Sequence, residues 1–215
     1  MPVSAKICGL RTAETVAAAI AAGADFVGFN FFTKTPRYVE PEMAAALDRA
    51  VPARVVKTGL LVDDDDVRIA AILSVCPLDL LQLHGAETPE RVAAIKAKFG
   101  LPVMKVIKVR NAADIARAAD YEAVADRLLF DAVPPADMKN ALPGGNAVSF
   151  DWDLLKGFRT RLPWMLSGGL NADNLAEAVR RSGARAVDVS SGVEDRPGEK
   201  NPNKIKAFLT IARSL

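Results

Sequence analysis

The chain has 215 residues, of which 50% are hydrophobic and 25% are charged, so it can bury a sizeable core. This length is short for two domains, and we expect residues 1–215 to form a single domain. The formal net charge of +2 is nearly balanced and forms no basic stripe, which argues against nucleic acid as the main partner.

Nothing in the sequence points to export or to a membrane. Residues Met1 to Lys6 lack the charged region and apolar run of a signal peptide. No stretch approaches the roughly 18 apolar residues of a membrane span. Cys8 and Cys76 are too few for a disulfide framework and fit a reducing compartment. We therefore expect a cytoplasmic protein with no membrane contact.

Short β-rich runs alternate with alanine-rich segments of helical spacing along the chain. The strands are predicted at Val3–Cys8, Phe26–Phe31, Arg54–Val62, Leu78–Leu83, Val103–Val109, Leu128–Asp131, Trp164–Leu166 and Ala186–Val189. The helices predicted between them include Ala13–Ala22, Ala44–Ala50, Val67–Val75, Glu90–Phe99 and Ala176–Arg181. Gly23, Gly100 and Gly183 each follow such a helix, as a left-handed cap requires. Eight repeats of strand plus helix would average about 27 residues each.

The alternation alone fits both a closed barrel and an open doubly wound sheet. The count of eight strands favours the barrel, and so do polar residues on one strand face. Period two places Lys6 with Cys8, and Gln82 with His84, on common faces. An open parallel sheet is usually apolar on both faces, whereas the upper interior of a barrel can hold such residues. The sequence therefore predicts an α/β protein, a single-domain (β/α)8 TIM barrel.

Two candidate catalytic residues stand where predicted strands end. Cys8 ends the first strand, and a thiolate is a good base if positive charge lies nearby, which Lys6 could supply. From the residue alone, a small buried hydrophobe is the commoner interpretation. Asp131 ends the apolar strand Leu128–Asp131, where a carboxylate costs free energy unless something satisfies it. A loop-anchoring aspartate is the alternative there.

Two further features suit anionic groups of a substrate. The planar guanidinium group of Arg37, which follows Pro36, can bind both oxygens of a carboxylate at once, whereas a lysine ammonium cannot. Glycine and serine follow the last two strands, and their backbone N–H groups can approach a phosphate closely. Barrel enzymes often bind phosphate at these two loops. The residues are Gly168, Gly169, Ser190 and Ser191.

Four segments together resemble the phosphoribosylanthranilate isomerase family of tryptophan biosynthesis. They are Lys6–Leu10 (KICGL), Phe29–Val39 (FNFFTKTPRYV), Ser167–Asn171 (SGGLN) and Val187–Val193 (VDVSSGV). The resemblance implies an Amadori rearrangement of N-(5-phosphoribosyl)anthranilate to the 1-(2-carboxyphenylamino)-1-deoxyribulose 5-phosphate. It further implies that Cys8 is the general base, Asp131 the general acid and Arg37 the residue that holds the anthranilate carboxylate.

Two other residues are expected at the pocket. His84 matches the family's fourth-strand motif and is assigned to the pocket wall, while Asp188 either neighbours the substrate amine or pairs with Lys6. The only partner implied is a small phosphorylated substrate, and monomer and homodimer both stay open. No metal site is expected, because no His, Cys or Asp cluster has ligand spacing. No cofactor is expected either, because the substrate nitrogen serves as the electron sink.

The chain departs from the family at one loop, and two other functions remain as alternatives. Ala147 and Val148 stand in Gly144–Ser149 where the family commonly has glycine and lysine, which puts contacts from that loop in doubt. A sugar-phosphate isomerase barrel of histidine biosynthesis is one alternative, although that family tends to use aspartate at the Cys8 position. A non-catalytic phosphate-binding barrel is the other, and the presence of Cys8, Asp131 and Arg37 together argues against it.

Overall fold

Eight parallel strands close into a barrel in chain order, with the first strand paired to the last. The computed structural model describes residues 2–135, 137–138 and 142–215. The strands are β1 (Ser4–Cys8), β2 (Phe26–Asn30), β3 (Val56–Leu61), β4 (Leu80–Leu83), β5 (Val103–Val109), β6 (Arg127–Ala132), β7 (Trp164–Leu166) and β8 (Ala186–Val189). The predicted barrel is confirmed, and β5, β7 and β8 have the predicted bounds.

An outer layer of helices covers the strands. The helices are α1 (Ala13–Ala21), α2 (Pro41–Asp48), α3 (Asp66–Val75), α4 (Pro89–Phe99), α5 (Ala112–Ala116), α6 (Leu175–Ser182) and α7 (Pro202–Ser214). Thr88 caps α4 by accepting a hydrogen bond from the Arg91 N–H, and Pro89 stands in its first turn. Gly100 and Gly183 end α4 and α6 in the left-handed conformation, as predicted. In the described part of the chain no helix is long and apolar enough to cross a membrane.

The expected eighth helix does not follow β6. Among the described residues between β6 and β7, the one helical element is a short 3₁₀ helix at Trp152–Leu155. Pro134, Pro135 and Pro143 lie in this connection, and proline removes a helical N–H and clashes with the preceding turn. The segment after β6 is therefore free to lie over the barrel mouth.

The interior of the barrel has an apolar layer and a polar layer. The apolar layer consists of Phe26, Leu80, Met104, Val106, Leu129 and Met165. Lys6, Gln82 and Asp188 belong to the polar layer and are 0%, 0% and 4% exposed. They stand on the inward face of β1, β4 and β8, so the predicted strand parity is confirmed. Polar side chains thus line the barrel interior toward the end where the strands finish.

A small hairpin follows β8 before the chain enters α7. Its strands are β9 (Glu194–Arg196) and β10 (Glu199–Lys200), which pair antiparallel around Pro197 and Gly198. Gly198 has φ of 85° and packs against the carbonyl group of Pro36, so a side chain there would be both strained and obstructed. The hairpin therefore lies against the loop that carries Arg37.

Candidate active site

The structure brings every predicted site residue to one cavity at the carboxyl ends of the strands. A residue at the end of each parallel strand reaches the same rim, even when the chain between them is long. The residues that line this cavity include Cys8, Arg37, His84, Asp131, Gly168, Gly169, Asp188, Ser190 and Ser191. Strand ends predicted that such residues would meet at one rim, and the family resemblance selected Cys8, Asp131 and Arg37 among them.

The Cys8 thiol is buried at the end of β1, with 4% of the residue exposed. A Cβ added to Gly28 of β2 would lie 3.1 Å from both the Cys8 Sγ and the Lys6 Nζ. Thiol and ammonium therefore share the small space above that glycine. Burial raises the pKa of Cys8, although the Lys6 charge acts in the opposite direction. In the resting site Cys8 is a thiol, so the positive charge of Lys6 does not ionise it.

Lys6 is engaged by Asp188 across the seam of the barrel. Its Nζ donates a 2.8 Å hydrogen bond to Asp188 Oδ1, and the Ser167 hydroxyl donates to the other oxygen at 3.2 Å. Burial opposes the ammonium, yet the Asp188 and Cys8 partners raise the pKa of Lys6. Of the two roles considered for Asp188, this geometry supports the ion pair with Lys6.

Asp131 is the penultimate residue of β6 and lies among several hydrogen-bond donors. His84 Nε2 lies 3.1 Å from its Oδ2, and the Lys108 ammonium lies 3.0 Å from the same oxygen. Burial alone would raise the pKa of Asp131, but the Lys108 charge and the His84 hydrogen bond outweigh it and lower the pKa to about 2. Burial and the Lys108 charge lower the pKa of His84. The resting site therefore holds an Asp131 carboxylate beside a neutral imidazole.

Arg37 is buried and held by a carboxylate of the protein itself. Its Nε and Nη2 donate hydrogen bonds of 2.8 Å to the two carboxylate oxygens of Glu194. The side chains of both residues are 4% exposed. Lys200 Nζ donates to Glu194 Oε1 at 2.5 Å and thereby completes a buried group of two cations and one anion.

The glycine and serine loops follow the neighbouring strands β7 and β8 and lie side by side at the cavity. Gly168 and Gly169 have φ of 90° and 64°, which L side chains rarely adopt. A Cβ on Gly168 would lie 2.9 Å from the Ala132 backbone nitrogen. The two backbone segments are therefore too close for any residue larger than glycine at position 168. Within the described residues, the N–H groups of this glycine pair donate no hydrogen bond. The pair therefore offers two unoccupied donors to an anion.

The loop of residues 142–149 lies across the mouth of the cavity. Its Gly145 carbonyl accepts a 3.1 Å hydrogen bond from Arg37 Nη2, and its Pro143 carbonyl contacts Lys108. The contact with Arg37 is made by backbone and does not depend on the family's missing lysine. Ala147, where the family commonly has glycine, takes a φ of 56°. The cavity beneath the loop has a volume of about 50 Å³.

Several polar residues of the site were not singled out from the sequence. Gln82 Nε2 lies 3.1 Å from His84 Nδ1, and its strand parity was the signal that could have found it. Glu194 and Lys200 gave no such signal, because charges beside Pro-Gly are typical of an exposed turn. Across the described residues, no group of three His, Cys, Asp or Glu side chains could hold a metal ion.

The sequence also matches one known protein family over most of its length. Residues 5–210 match the family model described as N-(5'-phosphoribosyl)anthranilate (PRA) isomerase. The chain belongs to this family. The predicted resemblance is therefore confirmed, and the match spans all eight barrel strands except the first residue of β1.

Individual PRA isomerases resemble the chain over its whole length. The N-(5'-phosphoribosyl)anthranilate isomerase of Rhodospirillum centenum is 58% identical over 215 residues, which cover 100% of both chains. The crystal structure of the PRA isomerase of Thermotoga maritima aligns with a TM-score of 0.86 at 35% identity, covering 99% of this chain and 100% of that one. A PRA isomerase in complex with reduced 1-(o-carboxyphenylamino)-1-deoxyribulose 5-phosphate aligns with a TM-score of 0.84 at 34% identity over 99% of this chain and 100% of that one.

Proposed function

We propose that this protein converts N-(5'-phosphoribosyl)anthranilate to 1-(2-carboxyphenylamino)-1-deoxyribulose 5-phosphate, with Asp131 as general acid and Cys8 as general base. The observation that carries this assignment is the single cavity that holds both residues, Arg37 and the two glycine and serine loops. An acid and a base on different strand ends suit a rearrangement that needs one proton given and another removed.

The reaction begins at the ribose ring. Asp131 gives its proton to the ring oxygen while the bond between C1 and that oxygen breaks, so the anthranilate nitrogen becomes an iminium. The iminium acidifies the proton on C2, and Cys8 removes it to give an enolamine. The enolamine then tautomerises to the ketone, and the product has the same atoms as the substrate. The electron pair moves through the substrate nitrogen throughout.

The resting protonation states must change for these roles. Asp131 is ionised and Cys8 is protonated in the resting site, which is the reverse of what an acid and a base need. The substrate brings a phosphate and a carboxylate, and added negative charge raises the pKa of Asp131. The iminium brings positive charge next to Cys8 at the step where a thiolate is needed. The substrate therefore supplies part of the electrostatics of its own reaction.

The two anionic ends of the substrate match two different groups of residues in the cavity. Arg37 holds the anthranilate carboxylate, because the guanidinium fork matches its two oxygens. Gly168, Gly169, Ser190 and Ser191 hold the phosphate, because N–H groups and the Ser191 hydroxyl there can donate to it, while the Ser190 hydroxyl donates to the Cys8 carbonyl. His84 lines the wall and hydrogen-bonds Asp131. These contacts fix C1 and C2 between the acid and the base.

We also infer the setting of the protein. The whole chain forms one catalytic domain, since the barrel strands run from Ser4 to Val189 and α7 packs against β1. Cys8 and Cys76 are both free thiols, which suits the cytoplasm. The proposed reaction requires one substrate and no second subunit, so monomer and homodimer both accommodate it.

Turnover assays with two purified substrates test the proposed function. We expect isomerisation of phosphoribosylanthranilate, and rescue of a tryptophan-requiring strain that lacks this isomerase. The matched assay uses the ribosylaminoimidazole substrate of the histidine-pathway isomerase. Turnover of that substrate alone would assign the chain to the alternative reaction. Binding of both without turnover would make it a phosphate-ligand binding barrel.

A further inference from the structure

Two charged residues of the hairpin after β8 are buried at the cavity, although their neighbours are exposed. Glu194 and Lys200 face each other in the register of β9 and β10, and the side chains are 4% and 1% exposed. Glu199 and Arg196 of the same hairpin pair with each other at the surface, with side chains 58% and 77% exposed. The hairpin therefore directs two of its charges inward and leaves the others in water.

Glu194 occupies one particular edge of the Arg37 guanidinium. Its oxygens bind Nε and Nη2, which is the side-on edge of the fork, each at 2.8 Å. The end-on edge, formed by Nη1 and Nη2, is left for another planar acceptor. In this structure Nη2 also donates to the Gly145 carbonyl of the loop over the mouth, at 3.1 Å. Glu194 thus fixes the plane of the guanidinium. On the second edge the Gly145 carbonyl occupies the remaining Nη2 hydrogen, so a substrate carboxylate that binds there replaces this carbonyl.

Lys200 determines the net charge of this arrangement. Arg37 and Glu194 alone would form a neutral pair with little attraction for a carboxylate. Lys200 adds a positive charge at 2.5 Å from Glu194 Oε1, and it donates to the carbonyl and hydroxyl oxygens of Ser190 at 3.0 and 3.3 Å. Three acceptors use the three hydrogens of an ammonium. Burial lowers the pKa of Lys200, whereas the Glu194 carboxylate acts in the opposite direction. With Lys200 protonated, the three residues carry one net positive charge, which matches the single negative charge of a carboxylate.

We propose that Glu194 and Lys200 are positioning residues for the substrate carboxylate. Glu194 holds Arg37 so that its end-on edge faces the substrate, and Lys200 offsets the Glu194 charge so that the edge remains attractive to an anion. This inference rests on the proposed function, because it takes Arg37 as the residue that binds the anthranilate carboxylate. It adds two residues that act through Arg37 rather than by touching the substrate.

Ligands with and without the carboxylate separate this role from a merely structural one. The probes are the reduced product, which carries the carboxylate, and its anilino analogue, which lacks it and keeps the phosphate. We expect Glu194→Gln and Lys200→Met to raise the Kd of the carboxylated probe about tenfold or more, the effect of losing one charge-assisted contact. The Kd of the anilino analogue should stay unchanged in Glu194→Gln, and in Lys200→Met it should rise less than that of the carboxylated probe, because Lys200 also hydrogen-bonds Ser190 of the phosphate loop. Equal weakening of both probes would overturn the assignment and indicate a general disturbance of the site.

Glu199→Gln is the matched control, because it removes a carboxylate from the same hairpin without touching Arg37. The double variant Arg37→Met/Glu194→Gln tests whether Glu194 acts through Arg37. If it does, the double variant binds the carboxylated probe no more weakly than Arg37→Met alone. Losses that multiply in the double variant would contradict the proposal.

A folding defect is the foreseeable complication, because removing one partner leaves buried charges uncompensated. Glu194→Asp keeps the charge but is one methylene shorter, so it cannot reach both nitrogens; it must show the same selective loss. The two proposals can fail separately. If Arg37→Met leaves carboxylate binding intact, the proposed role of Arg37 is wrong. If Arg37→Met weakens it while Glu194→Gln behaves like Glu199→Gln, only the positioning role is wrong.

Discussion

Asp131 of β6 and His84, which follows β4, share a hydrogen bond of 3.1 Å across the end of β5 that stands between them. The Gln82 amide lies 3.1 Å from the other ring nitrogen and orients the imidazole from below. Since burial and the Lys108 charge keep the ring neutral, His84 can donate one hydrogen to Asp131 without carrying charge. The carboxylate is thus stabilised by a donor, while Lys108 supplies the positive charge.

The low pKa of Asp131 predicts a loss of stability in acid. The pKa falls from 3.8 to about 2 on folding, which corresponds to about 2 kcal/mol of unfolding free energy. This contribution is complete above pH 4 and disappears as the pH falls from about 4 to 2. Denaturant unfolding at several pH values should show the wild type and Asp131→Asn converging over that range. Asp173→Asn, at an exposed loop position, should give a constant difference instead.

Removal of the acid or the base should abolish chemistry without unfolding the protein. Cys8→Ala and Asp131→Asn should each lower kcat by about 10²–10⁴-fold, the usual contribution of a proton-transfer group. Steady-state kinetics with circular dichroism on the same samples measures both properties. Cys76→Ala is the control for a buried cysteine outside the cavity, and its kcat should stay near wild type. A nearly normal kcat in either site variant would show that its residue has been given the wrong role.

Arg37 should affect substrate binding more than the chemical step. Arg37→Met should chiefly raise KM, because it removes a charge-assisted contact of roughly 1.5–3 kcal/mol to a group that does not react. Arg110→Met is a suitable control, because Arg110 is paired with Asp114 at the surface. Separate determination of kcat and KM distinguishes the outcomes. A large fall in kcat at unchanged KM would instead place Arg37 in the transition state.

The rate at which Cys8 is alkylated should depend on the protonation state of its thiol. Burial raises the pKa of Cys8, so labelling should be slow at pH 7 and accelerate as the pH rises and thiolate forms. Cys76 is fully buried outside the cavity, so the reagent reaches it less readily and it should react more slowly. Mass spectrometry assigns the labelled residue, and the reduced product should protect Cys8. Preferential labelling of Cys76, or inactivation that this ligand does not slow, would count against Cys8 as the base.

The phosphate cradle can be tested at Gly168. In Gly168→Ala the new Cβ would stand on a residue with a φ of 90° and would lie 2.9 Å from the Ala132 backbone nitrogen. The loop must therefore shift, and its N–H donors move with it. We expect weaker inhibition by inorganic phosphate and a higher KM for substrate. Gly157→Ala is matched for strain, since its φ is 75° and nothing lies within 4 Å of the added Cβ. If both variants bind phosphate as the wild type does, the cradle lies elsewhere.

The barrel and the clustering of site residues were predictable because both follow from strand periodicity. Period two determined which side chains point inward, and parallel strands bring their carboxyl ends to one rim. Their positions at strand ends made Cys8 and Asp131 candidates for one site although many residues separate them, and the family resemblance assigned their roles. Their protonation was not predictable, because it depends on burial and on Lys108, which no local pattern connects to Asp131.

The contacts of Arg37 could not be predicted from the sequence either. Arg37 and Glu194 are separated by 157 positions, and Glu194 stands in a run of charges that is typical of an exposed turn. Only the packing of the hairpin against the Arg37 loop makes it a buried partner. The missing helix after β6 had a visible cause in its prolines, whereas the path of that segment over the mouth is set by tertiary contacts.

The ion pair between Lys6 and Asp188 has a consequence for the order in which the protein is assembled. The two residues are 182 positions apart, so Lys6 is synthesised long before its partner exists. An unpaired ammonium costs several kcal/mol to bury, so the first strand gains little from docking until the eighth strand arrives. Ribosome-bound chains that stop before β8 should therefore leave the first strand exposed. Cys8 lies on β1, so the proposed base reaches its active position only after β8 has paired with β1 and closed the barrel.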